Sequence, residues 1–182
     1  VRIRPPVAIV GTSSAMPTPP LWATGHFDEA QAERLATLLG RLGREGLFRV
    51  VLVHHPPLPG MTARRKRLVG GRRLLSAIAS AGCELVLHGH THEASVGRTP
   101  APGRDVPVVG VPSASAGDAH GEPARYNVFE IEAGAGGFGD PMFAAVDVDG
   151  GGIRIVDEDV LDGAVHPVPI GPRADPPLGA VS

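Results

Sequence analysis

The chain has 182 residues, of which 42% are hydrophobic and only 4% aromatic, and its formal net charge at pH 7 is −2. This length fits one domain with an aliphatic core, and the near-neutral charge gives no attraction toward nucleic acid or an anionic membrane surface. The single cysteine, Cys83, excludes an internal disulfide framework and predicts a reducing, cytoplasmic location. No apolar run approaches the roughly 18 residues of a membrane span, so we expect neither a membrane nor a nucleic-acid partner.

The first part of the chain predicts a strand, a long loop and a helix. Residues 7–10 form an apolar run typical of a short buried strand, and the proline-rich segment 12–24 follows as a loop. Asp28 is a suitable N-cap, and apolar residues then recur at helical spacing until Gly43. A helix is therefore expected between these two residues.

The next segment repeats the alternation of strand and helix. Residues 48–53 are interpreted as an uninterrupted apolar, β-branched strand that is buried on both faces. A helical stripe then ends at Gly82, and residues 84–87 predict the following strand. Strands that alternate with helices favour an α/β fold with parallel neighbours.

The second half of the chain predicts strands without helices. Strand-like runs cover residues 106–111, 126–131, 142–148 and 153–156. The turn residues 149–152 between the last two runs predict a hairpin. The domain is expected to span residues 1–166, followed by a proline-rich tail over residues 167–182.

Two of the predicted strands run directly into histidines. The first leads to His54-His55-Pro56-Pro57 and the second to Gly89-His90-Thr91-His92. Ligands of open α/β sheets bind at the carboxyl ends of the strands, which is where these histidines fall. Gly89 permits a sharp turn, and residues two apart project to one side, so His90 and His92 are expected to point into one cavity.

Taken singly, each histidine supports only a weak conclusion, because a lone buried histidine is most often a hydrogen-bonded core residue. Two histidine turns at the ends of consecutive strands are an unusual way to build a core, so the combination favours a metal site. His88, on the second strand, is expected to be a hydrogen-bond partner behind the ligands.

The two histidine turns together resemble the calcineurin-like metallophosphoesterase superfamily, especially its bacterial branch that is similar to cyclic-nucleotide phosphodiesterases. The segments 11–35 and 109–115 are also similar to that family, and the resemblance covers about residues 7–131. It implies an α/β fold (an α+β sandwich) with four layers, αββα, and mixed sheets. It also implies a centre of two divalent metal ions, Mn, Fe or Zn, between the sheets.

The resemblance further implies roles for individual residues. His54 is preferred to His55 as a ligand, because it lies two residues before the first proline, as in the family's His-x-Pro turn. His54 and His90 would bind one metal ion, and His92 would bind the other. The implied reaction is hydrolysis of a phosphomonoester or phosphodiester, in a phosphorylated small molecule or nucleotide, by a hydroxide that bridges the two ions. No catalytic residue is assigned in this chain.

The chain departs from the family pattern in its first part. The family's Asp-x-His, Gly-Asp-x-x-Asp and Gly-Asn-His-Asp motifs do not precede the histidine turns, and the single asparagine, Asn127, lies in a strand pattern. Asp118-Ala119-His120 matches the first motif only in its letters, because it lies in a loop of small residues. We therefore expect only the C-terminal portion of the fold, with the N-terminal metal-binding half missing.

This departure leaves the activity of the chain on its own open. Two close dications need anionic ligands, whereas three neutral imidazoles could bind a single zinc ion. One alternative is therefore a non-catalytic truncated remnant or binding module. The other alternative is a mononuclear three-histidine zinc hydrolase.

Weaker features have simpler interpretations. Ser13 and Ser14 have no base at nucleophile spacing and are interpreted as loop hydroxyls, Cys83 is expected to pack as a small apolar side chain, and Trp22 and His26 are pocket-lining candidates. A basic stretch comprises Arg64, Arg65, Lys66, Arg67, Arg72 and Arg73. It is interpreted as a solvated helix face, in preference to a contact with a phosphorylated substrate or an acidic partner.

Overall fold

The computed structural model describes residues 1–113, 125–131, 153–159 and 165–168. This part of the chain contains the helices α1 (Glu29–Arg44) and α2 (Gly71–Ala81). Its strands, in chain order, are β1 (Arg2–Arg4), β2 (Val7–Gly11), β3 (Gly25–His26), β4 (Phe48–Val53), β5 (Leu68–Val69), β6 (Leu85–His88), β7 (Ser95–Ala101), β8 (Arg104–Gly110), β9 (Arg125–Ile131), β10 (Ile153–Asp159) and β11 (Val165–Val168).

The main sheet is mixed and has six strands in the order β1-β2-β4-β6-β8-β7. Its four central strands are parallel, and β1 and β7 pair antiparallel at the two edges. Parallel neighbours need a crossover connection, and α1 and α2 supply the crossovers into β4 and β6. The predicted α/β class with parallel neighbours is confirmed, and the four-layer αββα arrangement stays a prediction.

The first helix, α1, follows the predicted boundaries closely. The Asp28 carboxylate accepts a hydrogen bond from the Gln31 amide at 2.7 Å and so caps the first turn. Leu35, Leu39 and Leu42 are buried on one face of the helix and belong to the main apolar core. The helix ends at Arg44, one residue beyond the expected Gly43.

The main sheet carries an apolar core on each of its faces. On the helix side, Val51 and Val86 are fully buried in a cluster that includes side chains of α1 and α2. On the opposite side, Val50 and Leu85 pack with Phe129 of β9. The expected burial of β4 on both faces therefore holds at Val50 and Val51 but is wrong at Leu52, which is 37% exposed on the side opposite the helices.

The later strand predictions have mixed outcomes. The strands expected at 106–111, 126–131 and 153–156 correspond to β8, β9 and the first part of β10, whereas β7 has no counterpart among the predictions. β9, β10 and β11 form a separate antiparallel sheet. The strand and hairpin turn expected at 142–152 lie outside the described residues, as does most of the expected tail. β11 crosses the expected start of that tail at residue 167.

A buried ionic cluster at the amino ends of β4 and β6 corrects the prediction of an uninterrupted apolar strand at 48–53. Arg49 is only 8% exposed. Its guanidinium donates to both carboxylate oxygens of Glu84, at 2.9 and 2.7 Å, and Arg104 donates to the same carboxylate. Arg49 also donates to the carbonyl oxygens of Leu39 in α1 and Ala81 in α2. Burial of an arginine here is possible because its charge and its donors all have partners.

Candidate metal centre

His54 and His90 are brought together by the pairing of β4 with β6. These strands are parallel neighbours, with Val53 opposite His88, so the segments that follow them leave the same edge of the sheet. The Gly89 amide donates to the His54 carbonyl oxygen at 3.1 Å and joins the two turns. The prediction that both histidine turns meet at the carboxyl edge of the sheet is confirmed.

Three histidine side chains converge at this edge: His54, His55 and His90. One ring nitrogen from each lies within 4.8 Å of the other two. His90 Nδ1 is 3.0 Å from His54 Nε2. Two imidazole nitrogens on one tetrahedral zinc ion would be about 3.3 Å apart, given the usual zinc–nitrogen bond length. The group could therefore hold a metal ion with little movement of the His54–His90 pair.

The hydrogen bonding of His90 is incomplete without a further ligand. Its Nδ1 faces His54, but its Nε2 is buried and has no hydrogen-bond partner among the described residues. Whichever of the two rings carries the shared proton, His90 Nε2 is left as an unpaired donor or an unpaired acceptor. A buried polar atom without a partner costs about 1–3 kcal/mol, so the geometry favours a polar ligand that pairs with Nε2, while Nδ1 faces the metal position shared with His54.

Two histidines of the group, His90 and His55, are held in the neutral form that metal ions require. Burial lowers the pKa of His90 to about 4, and the neighbouring rings of His55 and His54 contribute to the shift. Burial also lowers the pKa of His55. Neutral imidazole is the ligand form, so no proton has to leave His90 or His55 at pH 7 before a metal binds.

His55 differs from the other two because both of its ring nitrogens are already engaged. Its Nε2 donates to the Ala23 carbonyl oxygen at 3.1 Å, which leaves Nδ1 to accept a hydrogen bond from the Ser14 hydroxyl at 2.8 Å. Ser14 and Ala23 belong to the loop 12–24, so His55 fastens this loop to the sheet. It becomes a metal ligand only by releasing one of these contacts.

This contact corrects the interpretation of Ser14 as a loop hydroxyl without a base. The base is His55, which lies 41 positions away in sequence and is therefore invisible to any search for local spacing. Ser14 is only 2% exposed, so its hydroxyl serves to position His55 and the loop.

The second histidine turn bends at the histidines themselves. His90 and His92 have φ angles of 73° and 61°, in the left-handed region, whereas Gly89 is not among the residues with positive φ. The expectation that Gly89 supplies the sharp turn is therefore wrong. Left-handed backbone is unfavourable for a residue with a side chain, and where it occurs it is often associated with a functional site.

The other two histidines of this segment lie outside the group of three. His88 is buried, its Nδ1 donates to the Gly89 carbonyl oxygen at 3.1 Å, and its Nε2 lies 3.4 Å from the Ser95 hydroxyl. It thus supports the turn, as expected of a residue behind the ligands. His92 is exposed and not a member of the group, and its role as a metal ligand stays a prediction.

The three histidines line an open cleft of about 430 Å³. The rest of its lining comes from the loop 12–24 and comprises Thr12, Ser13, Ser14, Ala15, Met16, Thr18, Trp22, Ala23 and Thr24. The expectation that Trp22 lines a pocket is confirmed, whereas His26 is not part of the lining. Within the described part of the chain, the lining contains hydroxyls and imidazoles but no carboxylate.

No protein-family model matches the chain, and no curated protein sequence is significantly similar to it. Among the described residues, no helix combines the length and the apolar character needed to cross a membrane.

Proposed function

We propose that this chain supplies histidine ligands to a metal-dependent phosphoesterase that hydrolyses a phosphomonoester or a phosphodiester. The observation that supports the proposal is the convergence of His54, His55 and His90 in an open cleft at the carboxyl edge of a parallel sheet. The choice of a phosphate ester rests on the resemblance of the two histidine turns to those of calcineurin-like metallophosphoesterases.

The described residues suit one divalent ion better than two. Zinc takes neutral imidazoles as ligands in tetrahedral sites, and His54 and His90 have the required spacing. Two close dications need anionic ligands between them, and the cleft lining offers none in the described residues. A dinuclear Mn, Fe or Zn centre would therefore need carboxylates in addition to these histidines, with His92 as the expected ligand of the second ion.

The chain's own residues hold the ion and shape the cleft around it. A bound divalent ion would polarise a phosphoryl oxygen and lower the pKa of water, as metal ions do in hydrolases generally. His54 and His90 bind the ion, and His55 keeps the loop 12–24 in place. Ser13 lines the cleft, and its hydroxyl is available to donate a hydrogen bond to a phosphoryl oxygen.

A mononuclear three-histidine zinc hydrolase is the second candidate. The observation that favours it is the absence of carboxylates from the cleft lining in the described part of the chain, which leaves three imidazoles and an open coordination position. Such a site would act on carboxylic esters, in which a zinc-bound hydroxide attacks a carbonyl carbon.

Zinc titration of the purified chain tests the metal centre. We expect about one zinc ion per chain, measured by competition with a chromophoric chelator. Loss of a residue behind the ligands typically costs about 10- to 100-fold in affinity, so removal of a ligand itself in His54→Ala or His90→Ala is expected to cost at least about 100-fold. His26→Ala is the matched control, because His26 lies in β3 outside the cleft lining. Equal affinity of all four proteins for zinc would contradict the proposed centre.

Hydrolysis assays then separate the two candidate functions. The phosphoesterase proposal predicts that metal-loaded protein cleaves p-nitrophenyl phosphate or bis-p-nitrophenyl phosphate and that His90→Ala removes this activity. Cleavage of p-nitrophenyl acetate without cleavage of either phosphate ester would favour the zinc hydrolase. A protein that binds metal but cleaves none of the three would support the non-catalytic alternative.

A further inference from the structure

We propose that the basic turn, made of Arg64, Arg65, Lys66 and Arg67, binds a second phosphate group of the substrate at the rim of the histidine cleft. The substrate class is then a phosphate ester that carries at least one further phosphate. This inference rests on the proposed function, since it adds a recognition site to the same cleft.

Backbone hydrogen bonds attach the basic turn directly to the wall of the cleft. The Ala23 amide donates to the Arg65 carbonyl oxygen at 2.9 Å, and the Gly25 amide donates to the Arg67 carbonyl oxygen at 3.1 Å. Ala23 lines the cleft, and its own carbonyl oxygen accepts the hydrogen bond from His55 Nε2. Ala23 is thus hydrogen-bonded both to Arg65 of the basic turn and to His55 of the histidine group.

The four side chains of the basic turn are exposed and unpaired. Arg64, Arg65, Lys66 and Arg67 are all exposed and form no ion pair with any described residue. Some exposed arginines of the chain are paired, as Arg41 is with Glu45 and Arg73 with Glu29, whereas others such as Arg44 form no ion pair with a described residue. What distinguishes the basic turn is that four such charges are consecutive in sequence and lie beside the cleft, where they are available to a ligand.

The charge of the basic turn is not opposed by a carboxylate among the described residues of the cleft that it adjoins. No carboxylate lines the cleft in the described residues, so the positive potential is not cancelled there. A concave site with charge of one sign concentrates ligands of the opposite sign.

The geometry of the turn differs from the solvated helix face that the sequence predicted. Arg64–Lys66 form a single 3₁₀ turn, and only Arg72 and Arg73 lie on α2. The basic side chains therefore project from a short turn beside the cleft. Arginine guanidinium groups bind phosphate through two parallel hydrogen bonds, and lysine adds a point charge, so the composition of the turn suits a phosphate.

Binding of inorganic phosphates to the zinc-loaded chain tests the proposal. We compare orthophosphate, which reaches only the metal, with tripolyphosphate, which extends beyond it, by isothermal titration calorimetry. The variant Arg64→Gln/Lys66→Gln is expected to bind tripolyphosphate about 10-fold more weakly than the unchanged protein, since two charge contacts are lost. Its affinities for orthophosphate and for zinc are expected to stay the same.

The control variant is Arg44→Gln, which removes an exposed charge at the end of α1, away from the carboxyl edge of the sheet. It is expected to bind tripolyphosphate like the unchanged protein. Equal tripolyphosphate affinity of the basic-turn variant and the unchanged protein would overturn the proposal. An equal loss in Arg44→Gln would overturn it too, because binding would then follow net charge alone.

Zinc titration without anions distinguishes a failure of the metal centre from a failure of the phosphate site at the basic turn. If zinc fails to bind, the metal centre is wrong, and the same variants are compared for tripolyphosphate binding to the metal-free chain. A selective loss in the basic-turn variant under those conditions would support an anion site without a metal. No difference between the variants would reject the site as well.

Discussion

His90 combines a left-handed backbone, a buried ring nitrogen without a partner in the described residues and a pKa lowered to about 4. The lowered pKa keeps the ring neutral, so Nδ1 can bind a metal ion together with His54 Nε2. Nε2 then carries the proton of the ring and is an unpaired donor for a polar ligand. His55, by contrast, satisfies both nitrogens within the protein.

The lowered pKa of His90 predicts a loss of stability in acid. The pKa is about 4 in the folded chain, against about 6.5 when the chain is unfolded, so the unfolded state binds more protons between these values. Stability is therefore fully present above pH 6.5 and falls as the pH decreases toward 4. Burial also lowers the pKa of His55 and of His88, which adds to the same trend.

Urea unfolding in the presence of a chelator at pH 7, 5.5 and 4.5 measures this effect. His90→Gln is expected to lose less stability over this range than the unchanged protein, since one of the buried titrating groups is gone. His26→Gln is the control. Parallel decreases for His90→Gln and the unchanged protein would show that His90 titrates normally.

Among the structural elements, local signals predicted the helices and central strands, whereas the contact between the loop 12–24 and the end of β4 could not be predicted. The N-cap Asp28 and the periodic leucines of α1 are readable because helix geometry relates residues three and four apart. His54 and His90 could be placed together because parallel strands end at one edge. The contact between Ser14 and His55 joins a loop to a strand end across 41 positions, and no local pattern records it.

The docking of the loop 12–24 depends on a glycine in β3. A Cβ atom added to Gly25 would overlap the imidazole of His55, whereas one added to Gly89 would meet nothing within 4 Å. Gly25→Ala is therefore expected to displace His55, to destabilise the fold by about 1–3 kcal/mol and to weaken zinc binding. Gly89→Ala is expected to stay within about 0.5 kcal/mol of the unchanged protein.

Thermal unfolding and zinc titration of these two variants give the comparison. A Gly25→Ala protein with unchanged stability and zinc affinity would show that His55 can shift without consequence. A strongly destabilised Gly89→Ala protein would indicate that Gly89 is needed in the turn after all.

Across the whole molecule, the buried ionic cluster and the candidate metal centre lie at opposite ends of the central strands. The Arg49–Glu84–Arg104 cluster joins both helices to the amino ends of β4 and β6. The histidines follow the carboxyl ends of the same strands. Arg49 and His54 are five positions apart in extended chain, which corresponds to about 16 Å. Between the two ends, Val51 of β4 and Val86 of β6 are fully buried in the main core and hold the strands in place.

Arg49→Met is expected to destabilise the protein by about 3–5 kcal/mol, because Glu84 loses its main partner and the carbonyl groups of Leu39 and Ala81 lose a donor. Arg49→Met/Glu84→Gln removes the uncompensated charge and is expected to recover part of that loss. Under conditions in which the variants remain folded, their zinc affinity is expected to match that of the unchanged protein, because the cluster does not touch the histidines.

The measurement is urea unfolding of the single and double variants, with Arg44→Met as a control at an exposed position that should change stability by less than about 0.5 kcal/mol. Zinc titration of the folded variants provides the second readout. If Arg49→Met cost no more than the control, the buried cluster would contribute nothing to the fold. If it were as stable as the unchanged protein but bound zinc weakly, the two ends of the sheet would be coupled, and the separation of stability from the metal centre would be wrong.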